Sequence, residues 1–230
     1  NHHSFMVISI MLFFLGSFLA LNGQSFNQID THTRSDIRSL QLLGDGNCFF
    51  LTNRVFIINP QKQGKPDFIT ERKADVFWAV SESELWVSQM LDSYISQVFH
   101  YHHGIAEEVI PPFANYITSM QFDASGEQGL FASWSEVARY HKGSFFSYPP
   151  APTSNAIEKL CYVSPDEFYA LSNRGELFHW YNGKYEQLEP EAKILDFQNV
   201  PQLGVYFLTQ KALKRFSQSK ISIVAQDEIF

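Results

Sequence analysis

Cysteine is nearly absent from this chain: Cys48 and Cys161 are the two in 230 residues. Two thiols cannot supply the disulfide framework of a small secreted scaffold. Both lie in apolar, strand-like stretches at non-equivalent points of the pattern described below, so buried free thiols are expected. Basic residues are few, 17 Lys and Arg against 24 Asp and Glu for a net charge of −7, and they are not clustered. Nucleic acids and anionic membrane surfaces are bound through a concentrated positive field, so neither is expected as a partner. Motifs that carry chemistry are missing as well: there is no Gly-x-Ser-x-Gly elbow, phosphate-cradling glycine loop, His-Glu-x-x-His helix or paired-cysteine zinc pattern. Helix-forming runs of Ala and Leu are scarce. Aromatic residues are abundant, with 22 Phe and 10 Tyr, and flat rings pack well on a pleated surface. The expected class is all-β.

The pattern is a five-fold repetition. Gly64, Gly104, Gly143 and Gly183 stand 40, 39 and 40 residues apart. A β-type run ends in an aromatic before three of them, at Val98-Phe99-His100-Tyr101, Val137-Ala138-Arg139-Tyr140 and Leu177-Phe178-His179-Trp180, and Leu213-Lys214-Arg215-Phe216 is a fourth copy. Each copy opens with an extended stretch and a polar turn, such as Asp123-Ala124-Ser125-Gly126. A second strand then ends in a hydroxyl, at Thr52, Ser88, Ser133, Ser172 and Thr209. A third strand, the turn at the glycine and a fourth strand complete the unit. A repeat of about forty residues made of four short strands predicts propeller blades, over 37–75, 76–115, 116–155, 156–192 and 193–230. The strands are apolar on both faces rather than alternating, as expected of sheets covered on each side by a neighbour. The second copy carries an insertion around Gln89 to Gln97, and the fifth has Ser219 where the turn glycine should be. Propellers close most often with more than five blades, so part of a larger propeller is the expectation and a closed five-bladed ring the alternative.

Ahead of the blades, Val7 to Leu21 is apolar apart from Ser9, Gly16 and Ser17, and is followed by Asn22-Gly23-Gln24-Ser25. Residues 1–25 therefore read as a secretory signal peptide or N-terminal apolar segment, although no basic residue precedes the apolar core. Export to the periplasm, cell surface or medium is expected. A membrane tether through this segment, or through a span beyond Phe230, is left open.

The order of elements resembles the two-component-regulator propeller repeat found in the periplasmic sensor region of hybrid histidine kinases and in related surface propellers. The match is best over Ile117 to Tyr148, where Leu130-Phe131-Ala132-Ser133 stands in place of the family's Trp-Ile-Gly-Thr strand and Val137-Ala138-Arg139-Tyr140 in place of Leu-Tyr-Arg-Tyr. Leu85-Trp86-Val87-Ser88 keeps a tryptophan in that strand, while the glycine before the hydroxyl is missing. The resemblance implies an exported, non-enzymatic module that senses or recognises a ligand, at the front of a two-component-type sensor. The alternative is a structural or adhesion component of a cell-surface or secretion complex.

Candidate side chains are few. His100, His102 and His103 cluster, with Glu107 and Glu108 just beyond, and His100 and His102 would share a strand face. His100, however, occupies the repeat position that Arg139, His179 and Arg215 fill, which explains it structurally; no metal, cofactor or catalytic residue is expected. The five hydroxyls are equivalent and read as structural groups bonding to neighbouring strand backbone. Trp86 and Trp180 read as packing between blades. A small molecule, glycan or protein ligand is expected on a loop face, with Trp134, Gln89, Asp92 and Tyr94 as the preferred rim contacts.

Overall fold

A computed structural model of the chain describes residues 37–58, 67–68, 70, 73–91, 95–200 and 202–226. It consists of five four-stranded antiparallel sheets, each formed by consecutive strands in chain order, and the five are the blades of a β-propeller. Blade one comprises β1 (Ser39–Leu42), β2 (Cys48–Leu51), β3 (Val55–Ile58) and β4 (Asp67–Phe68). Blade two comprises β5 (Val76–Ser81), β6 (Glu84–Met90), β7 (Ser96–His102) and β8 (Ile105–Val109). In blade three these are β9 (Ser119–Phe122), β10 (Gln128–Ser133), β11 (Glu136–His141) and β12 (Ser144–Ser147). Blade four has β13 (Ile157–Ser164), β14 (Glu167–Ser172), β15 (Leu177–Tyr181) and β16 (Lys184–Leu188), and blade five β17 (Ile194–Val200), β18 (Gly204–Thr209), β19 (Ala212–Ser217) and β20 (Lys220–Gln226). No helix among the described residues is long and apolar enough to cross a membrane.

Burial grades across each sheet. The second strands of blades one to four are buried on both faces, β10 and β14 over all but their first residue, while β18 of blade five is buried on one face; the fourth strands β8 and β20 are almost wholly exposed. First strands of neighbouring blades lie against one another, β5 beside β9 and β9 beside β13. Alternation along the strands sends successive side chains into opposite neighbours. Phe49 and Leu51 of blade one meet Phe77, Ala79, Leu85 and Val87 of blade two. The other face of blade two sends Trp86 and Val98 against Met120, Phe122 and Phe131 of blade three. Leu130 and Ala132 then meet Ile157, Phe168 and Trp180 of blade four, while Tyr169 and Leu171 meet Phe197, Val205 and Phe207 of blade five. Burying these side chains accounts for the two-sided apolar strands, each Phe, Leu or Val contributing about 1.5–3 kcal/mol.

Polar groups also stitch the first strands together. The Gln41 amide donates to the Ala79 carbonyl at 2.7 Å, and its oxygen accepts from the Ala79 N–H at 2.8 Å. Two interfaces along, between blades three and four, the Gln121 side-chain oxygen likewise accepts from the Tyr162 N–H at 2.7 Å. Next in the series stands Cys161, whose sulfur accepts from the Asn199 backbone; burial pushes this thiol up to about 11. Cys48 and Cys161 are both buried and free, and burial pushes the Cys48 thiol up as well. The turn between third and fourth strands has the same backbone in blades two to five: His103-Gly104, Lys142-Gly143, Asn182-Gly183 and Gln218-Ser219 all have positive φ at both positions. That is the primed hairpin turn whose twist matches the strands, and it explains the recurring glycine.

The hydroxyls at the ends of the second strands are all buried, but their partners differ from the expected ones. Thr209 Oγ1 accepts from the Lys211 and Ala212 N–H groups, and Ser172 Oγ from those of Arg174 and Glu176. They brace the turn that follows rather than a neighbouring strand, because the chain reverses immediately after them and leaves N–H groups within reach. Ser88 Oγ and Ser133 Oγ have no hydrogen-bond partner among the described residues.

Candidate functional site

Because strand direction alternates, two kinds of turn gather at each end of the propeller. One end carries the turns joining first to second and third to fourth strands. The other carries the turns joining second to third strands, together with the connections between blades.

At the first end, β1, β5 and β9 finish around an open cleft of about 470 Å³. Its walls include Gln41, Trp78, Val80 and Phe122, and its lip the turn residues Asp45 and Asp123. Both aspartates are held by their own turns. Asp45 accepts from the Asn47 N–H at 2.9 Å and Asp123 from the Ser125 N–H at 3.1 Å, so each keeps its carboxylate folded back on the backbone. Two carboxylates and an amide around apolar and aromatic walls suit a polar molecule with a flat or apolar side. Among the described residues, no nucleophile with an adjacent base lines the cleft.

A second group lies further out on the same end. Glu84 opens β6, and His100 and His102 close β7 directly across from Trp86 and Glu84. His100 Nε2 is 3.0 Å from Glu84 Oε1. Its ring stacks on Trp86 with centroids 4.1 Å apart and planes 9° apart, which fixes the imidazole edge toward the carboxylate. Blade three supplies the cover: a Cβ on Gly126 would stand 2.3 Å from Glu84 Oε1, and this glycine has φ +72. Blade four repeats the pair with His179 Nε2 3.0 Å from Glu167 Oε1 and the His179 ring stacked on Tyr169. In blades two and four the histidine of the third strand therefore leads to a carboxylate at the start of the second. Glu107 and Glu108 are exposed on β8; Glu107 lies opposite His100, and Glu108 accepts from Gln97 at 3.2 Å.

Trp134 and Gln89 stand at the opposite end, away from the cleft. Trp134 is 44% exposed in the turn after β10, and its indole N–H donates to the Ser154 carbonyl at 3.1 Å. Gln89 pairs with Gln97 and Met90 with Ser96, so the insertion lengthens the β6–β7 hairpin. Asp92 and Tyr94 lie outside the described residues. Sequence reading missed Glu84, Gln41 and the two lip aspartates. Glu84 sits 16 positions from His100 and reaches it only through strand register; the cleft residues come from three blades, and no local pattern ties them together.

No protein-family model matches the chain, and no curated protein sequence matches it. Solved structures do. A catalytically inactive virginiamycin B lyase from Staphylococcus aureus, crystallised with quinupristin, is similar at 13% identity and a TM-score of 0.64, over 86% of this chain and 72% of that one. The extracellular domain of a B. thetaiotaomicron protein assigned to a one-component system is similar at 12% identity and a TM-score of 0.63, covering 89% of this chain but 30% of the other. The WD40 β-propeller domain of Doa1 is similar at 11% identity and a TM-score of 0.62, over 84% and 71%. One of these is a lyase, one an extracellular domain and one a WD40 domain, so the shared property is the fold.

Proposed function

We propose that this propeller is a non-enzymatic, exported recognition module that senses a small polar molecule at its turn-bearing end, as the N-terminal part of a two-component-type sensor. The observation that carries this reading is the cleft where β1, β5 and β9 end: it joins residues of three blades, so a ligand seated there makes contacts that depend on how the blades sit together. Such a ligand favours one blade arrangement over others by its differential affinity, which is the physical requirement for sensing. The similarity to an extracellular domain of a one-component system and the apolar N-terminal segment support export and sensing. The alternative, a structural or adhesion component, draws support from β20, all of whose residues are exposed, including Ile221, Ile223 and Val224, on a strand whose outer edge is unpaired among the described residues.

The test uses the whole chain, a panel of sugars, amino acids and dicarboxylates, and thermal unfolding of the wild type beside Ala124→Trp, which plugs the cleft from an exposed turn position. One compound class is expected to raise the wild-type Tm, to lose that effect in the plugged variant and to be recovered unchanged. Equal stabilisation of both proteins would move the site elsewhere, and conversion of the compound would make the protein an enzyme.

A further inference from the structure

Glu84, His100 and His102 each offer a ligand atom within 4.8 Å of the other two. We propose that these three side chains form a binding site for a divalent late transition-metal ion, zinc in the first instance, on the turn-bearing end of blade two.

The donor set is one carboxylate oxygen and two imidazole nitrogens, which suits zinc and its neighbours and not magnesium or calcium, whose ligands are oxygens. Tetrahedral zinc with bonds of about 2.0–2.1 Å holds its donors about 3.3 Å apart. The His100–Glu84 separation is a hydrogen bond of 3.0 Å, close to this spacing, and the ion would take the place of its proton; His102, on the same sheet face and exposed, has to bring its nitrogen in from within 4.8 Å. The two less mobile donors are oriented before any ion arrives. Trp86 stacks on His100, and Gly126 of blade three leaves room for the Glu84 carboxylate where any larger residue would displace it. Three protein donors leave the fourth position to water.

Blade four supplies an internal control. It has the same paired residues, Glu167 and His179, but where His102 stands in blade two it carries Tyr181, whose ring lies 5.6 Å from that of His179. The repeat accounts for the Glu–His pair; it does not account for the third donor. His102 is thus the residue that turns a structural pair into a ligand set, and a tyrosine at this position is compatible with the fold.

The experiment is calorimetric titration of the full chain with zinc chloride, repeated for His102→Tyr, with cobalt(II) absorption as a second readout. The wild type is expected to bind one equivalent that His102→Tyr loses or binds about tenfold or more weakly, and its cobalt spectrum to show the visible bands of a low-coordinate nitrogen and oxygen site that the variant lacks. His2, His3 and His32 contribute the same background to both proteins, which the difference removes. Should His102→Tyr fail to fold, Tyr181→His carries the test, since completing the blade-four triad should add a second equivalent. Equal zinc affinity and stoichiometry in wild type and His102→Tyr, or no added equivalent in Tyr181→His, overturns the assignment.

Discussion

At the scale of single residues, the turn after β14 shows how a half-buried carboxylate is kept in place. Glu176 accepts hydrogen bonds from Thr153 Oγ1 at 2.6 Å, Ser172 Oγ at 2.7 Å and Asn155 Nδ2 at 3.0 Å, tying that turn to the connection that leads into blade four. Desolvation raises its carboxyl, but the three donors outweigh it and leave the group below its ordinary value of 4.5. A carboxyl lowered by folding stabilises the protein fully above its unfolded value and loses that contribution as pH falls through the folded one. Denaturant unfolding of wild type and Glu176→Gln should therefore show the variant less stable at pH 7, with the gap narrowing below about pH 4.5. A gap that stays constant down to pH 3 would mean that the carboxylate charge contributes nothing. None of this was legible in the sequence, where Glu176 is one acidic residue after a turn; two of its three donors come from the preceding connection, 21 and 23 positions away.

At the scale of elements, the turns were the most legible part of the chain, because the backbone demands a particular residue there. Two successive positive φ values are costly for a residue with a Cβ and free for glycine, so Gly104, Gly143 and Gly183 mark the third hairpin of their blades. The fifth copy keeps the turn without the glycine: Ser219 takes φ 58 in the same conformation. Ser219→Gly should accordingly raise stability by about 1 kcal/mol, read as a higher denaturation midpoint with an unchanged slope. A lower midpoint would show that the serine side chain makes a contact worth more than the strain. The strands were legible through the same repeat. The His100–Glu84 pair was not, because strand register decides which residue of the second strand faces a given residue of the third, and turn length sets the register. The hydroxyls were recognised as structural, but Ser172 and Thr209 were assigned the wrong partners for a related reason: their acceptor role is satisfied two to four residues along the chain, in the turn.

For the whole molecule, everything proposed depends on how blades two and three meet. The cleft takes Trp78 and Val80 from one and Phe122 and Asp123 from the other, and the Glu84 carboxylate rests against Gly126. Between them the contact is aromatic. Trp86 stacks on Phe122 with centroids 4.3 Å apart, and Phe131 and Tyr140 pack edge-on at 5.8 Å and 4.9 Å. The period of about forty residues foretold stacked sheets, yet a periodic sequence does not say which faces touch or at which end a space is left. That follows from the parity of side chains along each strand once the register is fixed. The most direct test is a nuclear Overhauser spectrum of the chain with labelled aromatic rings. Strong cross-peaks between the Trp86 indole and the Phe122 ring are predicted, across 36 positions of sequence and between two sheets. An indole that contacts only residues of its own sheet, with none to Phe122 or Phe131, would contradict the face-to-face stacking and with it both proposed sites.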